Sequence, residues 1–203
     1  MENKFIEIFT GLKRDYGYAD INSAYKDPAT GKLKLKYGWA AKPLIESDYL
    51  DHLSGKKSIG IQPCNDEGLA KFGAIDIDSD EYDNFDLRKY LEIIDKKNIP
   101  VVPVKSKSGG LHIYVFTAEK VPATLIREFL QNLLFLFGLS SKTEIYPKQT
   151  KLGKNQNGEK TVGSFINLPY FKTTERMALK PDGTHIEYKD FLEVVNVNLQ
   201  TKD

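Results

Sequence analysis

The chain has 203 residues, 40% of them apolar and 28% charged, which suits one folded domain or two tightly packed subdomains and excludes a disordered or fibrous chain. Lysine and arginine (29) nearly cancel aspartate and glutamate (28), leaving a net charge of +1, so bulk charge announces no nucleic-acid partner. No apolar run approaches the ~18 residues of a membrane span, no basic-then-apolar leader opens the chain, and the one cysteine, Cys64, excludes a disulfide framework, so a reducing cytoplasm and no membrane partner are expected.

In chain order, Phe5 to Phe9 predicts a short helix stopped by Gly11, followed by loop chemistry through the turn signal Asp27-Pro28-Ala29-Thr30-Gly31. Lys32 to Tyr37 alternates with period two and reads as a strand. Ser47 to Leu53 reads as one or two helical turns with Ser47 as N-cap, ended by Gly55. Ser58 to Ile61 and Phe72 to Asp78 are short β-type runs. Leu87, Tyr90, Leu91 and Ile94 recur at helical spacing, predicting an amphipathic helix over Asp86 to Lys97 that Asn98 and Pro100 end. Val101 to Val104 and Leu111 to Phe116 form a hairpin around the loop Lys105 to Gly110. A second helix starts near Pro122, carries the stripe Ile126, Phe129, Leu130, Leu133, Leu134 and Phe137, and stops at Gly138. Strands over Thr143 to Tyr146 and Ser164 to Leu168 flank a loop at Lys148 to Lys160, and Tyr188 to Val195 is a terminal helix followed by a fraying end. This order predicts a mixed α/β (α+β) sheet with helices on one face, and the hairpin argues against a purely parallel nucleotide-binding sheet.

Charge distribution says more than net charge. Asp76, Asp78, Asp80, Glu81, Asp83 and Asp86 follow one another with no basic residue between, whereas Lys142, Lys148, Lys151, Lys154 and Lys160 face only Glu144 and Glu159. Ordinary surface patchiness produces the same pattern, so chemistry has to come from motifs. In Phe72-Gly-Ala-Ile-Asp-Ile-Asp78, residues two apart share a face, so Asp76 and Asp78 project together while Ala74, Ile75 and Ile77 include the core-facing set. Two adjacent carboxylates repel unless a cation or proton lies between them, which suits Mg²⁺ or Mn²⁺. Taken alone, Asp-x-Asp reads first as a solvated strand end. An EF-hand fails, because Glu81 replaces the sixth-position glycine and Leu87 the twelfth-position glutamate.

Lys105-Ser-Lys-Ser-Gly-Gly-Leu-His-Ile-Tyr114 places two hydroxyls, two lysines and two glycines between strands, a loop able to wrap backbone N–H groups around an anion. His112 opens the next strand, where its ring can donate to a phosphate oxygen; a histidine bonded to a neighbour is its ordinary alternative. Thr143-Glu-Ile-Tyr-Pro-Lys-Gln149 offers Glu144 as a third carboxylate and Lys148 for phosphate, and Gly163 to Phe171 is an aromatic strand whose Phe165, Tyr170 and Phe171 read as buried structure.

In this order the motifs resemble the archaeo-eukaryotic primase (AEP) superfamily, the primase-polymerase (prim-pol) group of phages, plasmids and bacterial mobile elements. The resemblance rests on Gly73 to Asp78, Ser106 to Tyr114, Glu144 to Gln149 and Asn167 to Phe171, and spans Phe72 to Phe171. The second block is also similar to the polymerase domain of bacterial end-joining ligases, where a serine and a histidine hold the incoming triphosphate. The resemblance implies an N-terminal α/β module packed on an RRM-like catalytic module, with the active-site cleft between them. Its divisions here are about residues 1–70, 71–171 and 172–203 of one prim-pol catalytic domain. It further implies a two-metal site of Mg²⁺ or Mn²⁺ on Asp76 and Asp78, with Glu144 as the third carboxylate where many members have aspartate. Ser106, Ser108, His112 and Lys148 would contact nucleotide phosphates, and Lys148, Lys151 and Lys154 the nucleic acid. The zinc module of relatives is missing, since one Cys and three His do not build it.

The activity so implied is template-directed nucleotidyl transfer: a DNA primase or polymerase that makes or extends primers from nucleoside triphosphates during replication. Its partners would be a single-stranded DNA template, the triphosphates and a helicase domain or subunit. A metal-dependent nuclease or phosphodiesterase would use the same carboxylates. A rolling-circle nuclease needs paired histidines where Leu111-His112-Ile113 has one. A non-catalytic RRM-like single-strand binder needs aromatic residues on the sheet face, which carboxylates occupy here.

Overall fold

The computed structural model describes residues 2–29, 31, 33–80, 82, 85–107 and 109–201. The chain is a mixed α/β fold built on two sheets whose strands pair antiparallel, apart from one short parallel contact at the C-terminal end. After helix α1 (Glu2–Ile8) come strands β1 (Tyr16–Lys26) and β2 (Leu33–Ala40), helix α2 (Glu46–Leu53) and strands β3 (Ser58–Ile61) and β4 (Leu69–Ile77). The middle holds α3 (Leu87–Lys96), β5 (Val102–Lys105), β6 (Leu111–Pro122), α4 (Ala123–Phe137) and β7 (Glu144–Tyr146). Strand β8 (Ile166–Asn167), helix α5 (Tyr188–Val197) and strand β9 (Leu199–Gln200) complete the order.

The four-stranded sheet runs β2-β1-β3-β8, and the five-stranded sheet runs β5-β6-β4-β7 with β9 beside β6. Period-two alternation decides what each face of the second sheet meets. Ile75 and Ile77 of β4, Ile113 and Val115 of β6 and Ile145 of β7 pack with Tyr90 and Leu91 of α3 and the buried stripe of α4. Phe72, Ala74, Tyr114, Phe116 and Tyr146 point the other way, into a core shared with α1, α2, α5 and the first sheet's Tyr16, Ile59, Ile61 and Ile166. Helices therefore cover both faces, correcting the expectation of one; the aromatic residues Phe5, Phe9 and Phe191, which build the second cover, lie in α1, in the turn just after it and in α5, far from the motifs. Ala74 shares the face of Asp76, whereas Ile75 and Ile77 face α3 and α4.

Three further expectations change. The stretch expected as loop before Asp27 is the long strand β1, which pairs with β2 from Tyr16 to Asp20 and again, beyond a register shift, at Tyr25 and Lys26; only its first residues are buried, so polar Asp20, Asn22 and Ser23 hide its alternation. Helix α2 is capped at Ile45, not Ser47, because the Asp48 carboxylate accepts from the Ile45 N–H at 3.2 Å. The end beyond α5 does not simply fray, since Leu199 and Gln200 pair in parallel with Phe116 and Thr117. Helix α3 forms as expected, with Asp86 as N-cap accepting from the Arg88 N–H at 3.0 Å.

One buried histidine fastens α2 to both β3 and the segment beyond β8. His52 Nδ1 accepts from the Ile59 N–H (3.2 Å) and its Nε2–H donates to the Pro169 carbonyl (2.9 Å), a pattern only the neutral ring satisfies. Burial, and then the charge of Arg176, push its pKa down to about 3.

Candidate active site

Three adjacent strands bring the sequence motifs together. In the antiparallel ladder Asp76 pairs with His112 on one side and with Glu144 on the other, and His112 pairs in turn with Val104. Register partners share a face, so the face that is Phe72 and Ala74 in the core becomes Asp76 at the sheet's end, as Tyr114 becomes His112 and Tyr146 becomes Glu144. The fold thus turns a hydrophobic stripe into a polar one within two residues per strand.

His112 Nε2–H donates to Asp76 Oδ1 at 3.0 Å, with the ring side chain 9% and the carboxylate 21% exposed. Burial alone would raise the Asp76 pKa, but the His112 charge and hydrogen bond, with Lys148 farther off, hold it below the ordinary value. Asp78, one step past β4, is pushed the other way by partial burial, then by Asp76 and Asp80, with Glu144 adding to them and His112 opposing. Glu144 accepts from the Tyr146 hydroxyl at 3.1 Å and from the Lys148 ammonium, which also lies 5.1 Å from the Tyr146 ring centre. The segment carrying Lys148 is fixed by Arg127 of α4, whose Nη1 donates to the Pro147 and Lys148 carbonyls at 2.7 and 3.1 Å.

The loop between β5 and β6 lies against this carboxylate end. Buried Ser106 closes it through its N–H on the Gly110 carbonyl (2.9 Å), and the Gly109 N–H returns to the Ser106 carbonyl at 3.3 Å. A Cβ at Gly110 would lie 2.1 Å from the Ile77 carbonyl oxygen and 3.1 Å from Ser79 N, so a side chain there would push the loop off the end of β4. Ser108 lies outside the described residues. Lys151 and Lys154 sit on the exposed loop after β7, where Lys154 bridges to Lys160, and no described contact joins them to the carboxylates.

Asp76, Asp78 and Glu144 offer the hard oxygen donors that Mg²⁺ or Mn²⁺ prefers. Among the described residues no set of three or more His, Cys, Asp or Glu side chains closes into a ready-made metal cage. The fit is one of charge and donor type: burial first, and then the carboxylates of Asp76, Asp80 and Glu144, raise the Asp78 pKa, and a divalent cation would relieve the repulsive part.

Beside this centre lies a second cluster that motif reading passed over. Arg176 donates to the Ser58 hydroxyl at 3.0 Å and packs 5.2 Å from the Phe171 ring centre. With Lys107 and Lys172 it lines a cavity of about 160 Å³ that also reaches Tyr37 and Asn167. Burial lowers the Arg176 pKa to about 10, and burial followed by Arg176 itself lowers Lys107. Arg176 sits where the chain between Tyr170 and Ala178 takes positive φ at Tyr170, Lys172, Thr173 and Arg176, a turn with no Gly or Asn to advertise it. Tyr170 and Phe171 are buried as expected, whereas Phe165 is only half-buried, on the outer face of the four-stranded sheet.

Residues 13–192 match the family described as the TOTE conflict system, Archaeo-Eukaryotic Primase domain. A comparison with curated proteins found no match. Among solved structures, the chain is similar to the AEP domain of the cyanophage S-2L primase-polymerase, at 12% identity, 94% coverage of both chains and a TM-score of 0.42. No described helix is long and apolar enough to cross a membrane.

Proposed function

The chain belongs to the archaeo-eukaryotic primase domain family of TOTE conflict systems, and from that premise of a primase-like nucleotidyltransferase role we propose that it joins nucleoside triphosphates to a 3′-hydroxyl on a single-stranded DNA template. The observation that carries this reading is the row Glu144, Asp76 and His112 on three paired strands, with Asp78 crowded by the same carboxylates. Bond formation between the 3′-oxygen and the α-phosphorus, with loss of pyrophosphate, concentrates negative charge that the site must compensate.

Asp76, Asp78 and Glu144 would hold a pair of Mg²⁺ or Mn²⁺ ions, whose chemistry there is charge compensation at the reacting phosphate and activation of the 3′-hydroxyl. The chain's own donors do the rest. The His112 ring, anchored on Asp76, and the 105–110 loop, closed by Ser106 and carrying Ser108, orient the triphosphate. Lys148, held by Arg127 and resting on Glu144, brings a positive charge to the same edge. Lys151 and Lys154 supply salt-sensitive attraction for the template backbone. Work within a conflict system or in replication, and association with a helicase, are compatible with this chemistry.

The test is one incubation panel: primed and unprimed single-stranded templates, all four ribo- or deoxynucleotides, and either metal. Extension by the native chain and its loss in a folded Asp78→Ala variant is the expected result. Undiminished extension by that variant would overturn the assignment, and template degradation in place of extension would favour a metal-dependent nuclease on the same carboxylates.

A further inference from the structure

The outer face of the four-stranded sheet is built around a ring lying flat on backbone. Gly17 of β1 and Gly60 of β3 are register partners, and a Cβ at either would fall 2.1 and 2.3 Å from the Phe165 ring. Only glycine at both positions lets that ring settle onto the strands. Trp39, the neighbour of Gly17 across β2, stands edge-on to Phe165 with ring centres 5.0 Å apart and planes at 87°. Tyr37, one step along the same face, is 6.2 Å from Phe165 and 55% exposed. The opposite face of these strands already supplies the core through Tyr16, Ile59 and Ile61.

We propose that Phe165, Trp39 and Tyr37 form a stacking platform for the bases of single-stranded DNA. Charge selects this occupant over a second copy of the chain or an apolar protein. At the platform's Tyr37 edge, Tyr37 pairs with Ala19, which pairs with Ser58, the residue that Arg176 bonds at 3.0 Å. Lys107 and Lys172 line the same cavity as Tyr37, the latter shared with Glu175 at 3.2 Å. Flat apolar rings bordered by cations match a ligand with flat bases joined by phosphates, and stacking on aromatic side chains tolerates any base sequence. The platform is also tied to the carboxylate strand. Gln149, five residues beyond Glu144, accepts from the Ser164 N–H at 2.9 Å and from Gln62 Nε2 at 3.0 Å, which fixes the residue before Phe165.

The inference rests on the proposed use of a DNA template, yet its test needs neither metal nor turnover. Trp39 is the sole tryptophan, so its fluorescence reports on the platform directly. The full chain is titrated with oligo(dT), with an abasic oligomer of equal length, and with dTTP alone. Saturable quenching by oligo(dT), with neither of the others matching it, is expected. Phe165→Leu should weaken binding of a labelled oligo(dT), followed by anisotropy, by ~5–150-fold, the range for losing one stacked base. Tyr37→Ala, on the exposed rim, gives a second variant that leaves the glycine floor filled, and a loss of several-fold is expected. Equal quenching by the abasic oligomer or by dTTP would overturn the platform, as would native affinity in both variants. A concentration-dependent dimer abolished by Phe165→Leu, without effect on oligo(dT), would assign the face to self-association instead. Quenching without nucleotide incorporation would leave the platform standing and sink the polymerase reading; incorporation without quenching would do the reverse.

Discussion

Around Asp76 the chain crowds carboxylates, and around Arg176 it crowds cations. In the first region partial burial and neighbouring anions push Asp78 up, and in the second burial and Arg176 push Lys107 and His52 down. Burial and like charge thus oppose the charged forms of Asp78 and of Lys107, and an outside counter-charge at either would relieve the like-charge part. The two regions differ in how they are built. The acidic region hangs on consecutive residues of paired strands, whose positions a two-residue repeat dictates. The basic one gathers a loop lysine, a lysine and an arginine from a turn of positive φ, and a serine from another sheet. A regular scaffold fixes the first, and long-range tertiary contacts fix the second.

The strongest way to break this contrast is Asp76→Ala. We expect nucleotide incorporation to fall at least ~10²-fold, the scale of losing a principal electrostatic contact, while circular dichroism stays native; a folded variant with normal turnover would deny that the acidic region is the reactive one. Next comes Gly60→Val, which drives a side chain into Phe165. A loss of about 1–3 kcal/mol is expected from overpacking, read as a lowered denaturant midpoint, with incorporation chemistry reduced far less than by Asp76→Ala.

A pH series sharpens the cationic side. His52 has a folded pKa of about 3 against an ordinary 6.5, so its contribution is complete above pH 6.5 and is lost as pH falls from there toward 3. Thermal midpoints should decline across that window, and His52→Asn should start less stable at neutral pH but show a shallower decline. The smallest effect expected is from Lys148→Met. Its pair with Glu144 is half-exposed, and such pairs contribute about 0–1 kcal/mol to stability, so the melting temperature should barely move while the triphosphate KM rises several-fold.

These contrasts explain what could be read in the sequence. Asp76 and Asp78 were legible from the two-residue alternation of one strand, whereas His112 and Glu144 joined them only through the motif resemblance, because the register that pairs both with Asp76 is a long-range property. Helices α3 and α4 were legible from their stripes. Strand β1 was not, since its outer half is exposed and its polar residues imitate a loop. Arg176 escaped because its place depends on Ser58, 118 residues earlier, and nothing local to either residue signals the contact. Phe165 was expected in the core because an aromatic strand ending in proline normally belongs there; the glycines that turn it outward lie in β1 and β3.

The β4 alignment has one more consequence. Asp76 reaches both neighbours only in the register that also buries Ile75 against Ile113 and Ile145. A slip of one residue would exchange the two faces, sending isoleucines to the solvent end and a carboxylate under α4. Reactive geometry and core formation are therefore a single decision of the folding chain, and a misaligned but compact intermediate would be both unstable and inert.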